Sequence, residues 1–192
     1  MKIINHKVAE KLISSKLILT VFLILFSTCL LAISSKIKIP FYPVPMTMQT
    51  FIVLSIGITL GPKLGFIALS TYLLEGLIGL PVFSGTPEKG MGVLYVLGPT
   101  GGYLVGYIVS AYLVGKINLN YTFPIRLIFL SLALSPIYIL GLIWLGILFG
   151  FDKPLLEWGL NPFVLAEIFK ITLLAILVPK LLNYQKIIKN KI

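Results

Sequence analysis

Lys170 and Glu167 are the residues whose types and spacing most invite chemistry. They sit in Phe163-Val-Leu-Ala-Glu-Ile-Phe-Lys-Ile-Thr-Leu-Leu-Ala-Ile-Leu-Val178, an otherwise lipid-compatible run of membrane length. Positions three apart share a helix face, so carboxylate and ammonium project into the same space. An ammonium near mid-bilayer costs about 2.5–3.5 kcal/mol on insertion scales. Two readings follow. The pair is an internal ion pair that stitches helices together, or it is a polar wall of a cavity for an acidic or ureido-like ligand. Buried pairs rarely gain stability over apolar replacements, which gives weight to the second.

A denser code runs from Leu80-Pro-Val-Phe-Ser-Gly-Thr86 to Val96-Leu-Gly-Pro-Thr-Gly-Gly-Tyr103. The first string ends a helix and the second begins one, with Pro99 and Thr100 suited to a helix start. Freed backbone amides there point toward the glycine-rich loop, which is either a capped turn or a lid over a small ligand. Glu75, about one and a half turns before Pro81, reads as a snorkelling side chain. Enzymatic motifs are missing: no Walker-type phosphate loop, no His-Glu-x-x-His, no Cys-x-x-Cys and no Gly-x-Ser-x-Gly. The chain is therefore expected to be no enzyme and to use neither cofactor nor metal. His6 reads as a solvated tail residue, and the single Cys29 cannot form a disulfide within the chain.

The elements that must position these residues follow from composition. The 192 residues are 58% hydrophobic and only 11% charged, against roughly 25% charged in a soluble domain. The expectation is an all-α integral membrane bundle. Six spans are predicted near Leu17–Ser35, Thr47–Leu60, Leu64–Leu80, Thr100–Gly115, Ile125–Gly150 and Pro162–Leu182. The proline-rich Ile39-Pro-Phe-Tyr-Pro-Val-Pro45 cannot be regular helix, Gly61-Pro62-Lys63 reads as a tight turn, and Pro136 as a kink. Gly57 and Gly61, Gly61 and Gly65, Gly102 and Gly106, and Gly146 and Gly150 are spaced for close backbone approach. The first span is longer than a signal-peptide core and lacks a good cleavage site, so it reads as a retained helix.

The net charge of +10 is dispersed at the ends of apolar runs, which argues for topology rather than nucleic acid. With the N-terminus inside, Lys2, Lys7, Lys11, Lys16, Lys63, Lys116, Arg126, Lys180, Lys186, Lys189 and Lys191 share one side. Lys36, Lys38, Lys89 and Lys153 share the other. Both termini are then cytoplasmic in a multi-pass plasma-membrane protein. The chain is one membrane domain: a cytoplasmic tail over about residues 1–16, a bundle over 17–182 and a basic tail over 183–192.

Ile39-Pro-Phe-Tyr-Pro-Val-Pro-Met-Thr-Met-Gln-Thr50, Gly79-Leu-Pro-Val-Phe83 and Leu97-Gly-Pro-Thr-Gly-Gly-Tyr-Leu104 together resemble the BioY family, over about Leu17 to Leu182. Those proteins are the biotin-binding substrate components, or S components, of energy-coupling factor transporters. The resemblance implies a six-helix bundle that captures biotin at the outer face. Delivery inward then needs a transmembrane coupling subunit and two cytosolic ATPases. It implies that Lys170 and Glu167 correspond to the family's acid-x-x-Lys, where aspartate is the expected acid. Lys89 is the nearest match to a loop arginine, and Phe83, Tyr95 and Tyr103 would wall the ligand, with Ser84 and Thr100 beside them. The first-helix string Thr28-Cys-Leu-Leu-Ala32 partly matches a small-residue docking face, through Thr28 and Ala32. Competing readings are an S component for another small vitamin or carboxylate, a membrane-embedded enzyme, and a ligand-free assembly subunit.

Overall fold

A computed structural model describes residues 2–88 and 90–192, with side chains from Ser15 onward. Helix α1 spans Lys2–Lys36 and leads into two short antiparallel strands, β1 (Lys38–Ile39) and β2 (Met46–Thr47). Then come α2 (Gln49–Leu77), α3 (Val93–Val96), α4 (Gly101–Lys116), α5 (Phe123–Phe149), α6 (Leu155–Gly159) and α7 (Asn161–Lys191). Helices α1 and α7 run through the stretches expected as tails. The lysines, isoleucines and glutamine there are compatible with helix and include no breaker.

Among the described residues, four stretches are long and apolar enough to cross a membrane: Ser15–Lys36, Gln49–Leu77, Phe123–Phe149 and Asn161–Lys191. The second is not one straight rod. Gly61 has φ 79° and ψ 179°, a backbone state open to glycine alone, and Pro62 restarts the helix. The arms 49–60 and 62–77 fold back on each other. A Cβ on Gly65 would lie 3.2 Å from the Gly57 Cα. At the far end Gln49 Nε2 donates to Tyr72 Oη at 2.8 Å. Residues symmetric about Gly61 therefore face one another, as in an antiparallel hairpin. The expected turn at 61–63 is real, and it divides α2 into two helical arms.

Small residues set the spacing. A Cβ on Gly57 would strike the Ala111 carbonyl and the Val114 side chain of α4. Gly102 and Gly106 lie on Leu140 and Ile137 of α5, so α4 is held closely between α2 and α5. Helix α7 closes the bundle against α2 and α5, and α1 lies along α2. Large apolar side chains such as Phe22, Phe26, Ile128, Ile139, Leu165 and Phe169 remain exposed on the outside, as a lipid-facing belt requires.

One correction concerns α1. Thr28 is buried, its hydroxyl donating to the Leu25 carbonyl at 3.0 Å, and Ala32 packs on the core. Thr28 is thus used inside the chain, where it lets α1 approach its neighbours, and of the pair only the half-buried Ala32 is open to a partner. The outward face carries Leu25, Phe26, Cys29 and Ile33 instead.

Three loops, 37–48, 78–100 and 150–160, gather at the end where α1 finishes. Ser35 Oγ donates to the Val82 carbonyl at 2.8 Å, Trp144 Nε1 to Gly98 at 2.8 Å, and Tyr103 Oη to Gly159 at 2.9 Å. At the opposite end Lys16 Nζ reaches the Ile192 carbonyl at 2.9 Å.

Candidate functional site

Beneath those loops the helices leave a cavity of about 510 Å³, counted out to its mouth. Strand β2 and the chain before it supply Val44, Pro45, Met46 and Thr47, and the start of α2 supplies Gln49 and Thr50. Ser84 and Tyr95 come from the second loop, Thr100, Tyr103, Leu104 and Tyr107 from the first turns of α4. Ile137 and Tyr138 of α5 and Phe163 and Glu167 of α7 complete the wall. The lining is aromatic and apolar with a few convergent polar groups, and Glu167 is its one charged member among the described residues.

Glu167 and Lys170 meet as their spacing predicts. Lys170 Nζ lies 2.7 Å from Glu167 Oε1, and both residues are buried. The ammonium also donates to the Thr47 carbonyl at 2.6 Å and to Thr50 Oγ1 at 3.0 Å. Thr50 in turn donates to Glu167 Oε1 at 2.8 Å. An ammonium has three donors, and all three are used on the protein. Lys170 is consequently placed differently from the expectation. It lies behind the cavity wall, lining a second, more apolar cleft of about 540 Å³ with Ile37, Lys38, Ile39 and Phe169. The carboxylate is the half of the pair that faces the cavity.

The loop side has its own polar frame. Gln49 holds Tyr72, and Tyr72 Oη donates to the Val82 carbonyl at 2.8 Å. Tyr95 Oη donates to the Ser84 carbonyl. Burial pushes the Tyr95 phenol above its ordinary range, which keeps it an O–H donor. Ser84 lines the cavity, and its buried Oγ has no hydrogen-bond partner among the described residues. A buried hydroxyl without a partner costs about 1–3 kcal/mol, so a polar ligand atom here would gain more than usual.

Of the sequence-expected site residues, Glu167, Ser84, Tyr95, Thr100 and Tyr103 are brought together at the cavity. Tyr103 is rigidly set, its ring lying against Gly141 and its hydroxyl on Gly159. Phe83 is not a wall residue. It is 1% exposed, wedged over Gly76 between Tyr72 and Tyr95, where any Cβ on residue 76 would collide with its ring. Its work is to anchor the loop. Lys89 lies outside the described residues. The reading of the sequence missed Thr47, Gln49, Thr50, Tyr107, Tyr138 and Phe163. Tyr107 was reachable, being one turn beyond Tyr103 on the same face. The Pro-Val-Pro-x-Thr-x-Gln-Thr string signalled a special segment without revealing that its polar members turn inward.

Comparison with known proteins places this geometry. The family model described as "BioY family" matches residues 6–186. A "Probable biotin transporter BioY" of Pyrococcus horikoshii is 32% identical over 161 residues, covering 84% of this chain and 94% of that protein. The "Biotin transporter BioY" of Thermotoga maritima is 36% identical, over 80% of this chain and 90% of its own length. A crystal structure titled as the S-component for biotin from an ECF-type ABC transporter superposes with a TM-score of 0.68, at 30% identity over 92% of each chain. With the family model matching residues 6–186 and relatives aligned over most of their length, this chain belongs to the BioY family.

Proposed function

We propose that this chain is the biotin-binding S component of an energy-coupling factor transporter in the plasma membrane. It captures biotin in the cavity under the three loops and passes it inward. The observation that carries the reading is a cavity whose aromatic lining includes one buried carboxylate, Glu167, and one unpartnered hydroxyl, Ser84. Biotin's fused rings and aliphatic tail suit the apolar wall. Its ureido group offers two N–H donors, for which Glu167 is the matching acceptor, and Ser84 answers a polar atom on the loop side. Lys170 holds Glu167 and the Thr47 strand in place. Tyr95, Thr100 and Tyr103 shape the wall. The sequence carries no phosphate loop, so ATP hydrolysis falls to two cytosolic ATPases acting through a transmembrane coupling subunit.

The test is calorimetric titration of the purified chain with biotin, with desthiobiotin and octanoate as competitors. Saturable biotin binding is expected, displaced by desthiobiotin, which keeps the ureido group, and not by octanoate, which lacks it. Absence of saturable binding would overturn the reading. Displacement by octanoate would move the assignment to another carboxylate.

A further inference from the structure

We infer that Lys36 is a positioning residue that latches the Ser84 loop over the cavity from the end of α1. Lys36 Nζ donates to the Phe83 carbonyl at 2.9 Å, to the Thr86 carbonyl at 3.2 Å and to Thr86 Oγ1 at 3.3 Å. The preceding residue, Ser35, donates to Val82 at 2.8 Å. The last turn of α1 thus holds acceptors on residues 82, 83 and 86, and Ser84 lies inside that grip. Tyr95 fixes the Ser84 carbonyl from the other side, and Ser84 lines the cavity.

A lysine at a helix C-terminus ordinarily bonds its own last carbonyls or complements the helix dipole. The acceptors of Lys36 lie 47 and 50 residues away, on another element. Its side chain is exposed, so it adds little to the core, and its replacement leaves packing intact. Its effect is on where the loop sits and how often it lifts. The loop is one of the three that cover the cavity, so its lifting opens a way out for a ligand beneath it, and the latch acts on the dissociation rate. It touches no ligand itself.

The inference about ligand release rests on the biotin reading, whereas the latch itself can be measured without ligand. The full chain is reconstituted as wild type, Lys36→Met, Lys36→Arg and Lys38→Met. Amide hydrogen exchange over residues 82–88 is followed in the absence of ligand, and dissociation of labelled biotin is followed separately. Lys36→Met is expected to raise exchange in that segment and the biotin dissociation rate about tenfold each, the scale of one charged hydrogen bond. Association, and exchange in α4 and α7, should stay at wild-type values. Lys36→Arg should restore slow exchange and slow release. Lys38→Met, which removes the same charge two residues away, should change neither. Wild-type exchange in Lys36→Met, or an equal effect of Lys38→Met, overturns the latch. If the wild type binds no biotin, the biotin reading fails and the exchange comparison alone decides for or against the latch.

Discussion

Three donors on one ammonium determine how Lys170 and Glu167 divide their work. With Thr47, Thr50 and Glu167 all accepting, Lys170 can serve a ligand only by giving up a bond it already has. In this arrangement its three bonds support the acid. Lys170→Met should therefore destabilise the ligand-free protein by about 3–5 kcal/mol, because it leaves a buried carboxylate unpaired. Glu167→Gln strands the ammonium in the same way. The double variant Glu167→Gln/Lys170→Met should regain most of the thermal midpoint while biotin affinity stays at least about thirtyfold below wild type, the loss of roughly 2 kcal/mol or more for a buried charged contact. Thermal melts and calorimetry on the four proteins check this. Wild-type affinity in the double variant would make the pair mere helix glue. The existence of the pair was legible from i,i+3 spacing in an apolar run. Which half faces the ligand was not, because that depends on Thr47 and Thr50, more than a hundred residues away in the chain.

At the scale of elements, glycine spacing says where backbones touch, and φ says which glycines instead make turns. Gly57 and Gly61 were one spaced pair in the sequence, yet Gly57 is a helix contact and Gly61 is the hairpin turn. The proline after Gly61 was the signal that separated them. Two substitutions to alanine should behave differently for that reason. At Gly57 the new methyl meets the Ala111 backbone of α4, an overpacking cost of about 1–3 kcal/mol. At Gly79 nothing lies within 4 Å, and the cost is only that of a left-handed backbone at φ 96°, about 1 kcal/mol. Melting midpoints in one detergent should rank Gly57→Ala below Gly79→Ala; the reverse order would mean that α2 and α4 are less tightly joined. A bundle of long apolar helices could be read from apolar lengths and breakers. The two-residue strands β1 and β2 could not, since so short a pair has no periodicity, and neither could the inward seat of Phe83, which depends on the notch at Gly76.

At the scale of the whole molecule, the fold-back of α2 fixes how the chain threads the membrane. The arms 49–60 and 62–77 are about 18 and 24 Å long, so each completes a crossing of a roughly 30 Å hydrocarbon core with flanking residues and local thinning of the bilayer. A single continuous crossing by α2 would put its two ends on opposite faces. The Ser35–Val82 and Gln49–Tyr72 bonds instead bring the chain before α2 and the chain after it to the same end of the molecule. Lys63, beside the turn, is exposed at the other end. This predicts six crossings with both termini cytoplasmic, and the lysine distribution agrees in direction with that arrangement. Single cysteines placed at Lys38, Lys63, Lys116 and Lys153 in a Cys29→Ser background separate the possibilities. An impermeant maleimide applied to intact cells should label positions 38 and 153, and positions 63 and 116 should react only in inverted vesicles. A continuous α2 would bury position 63 in hydrocarbon and leave it unlabelled from either side. It would also leave five crossings and exchange the sides of 116 and 153. Labelling of 63 from the cytoplasmic face alone therefore establishes the hairpin and the sidedness of the biotin cavity together, since the cavity lies at the end opposite Lys63.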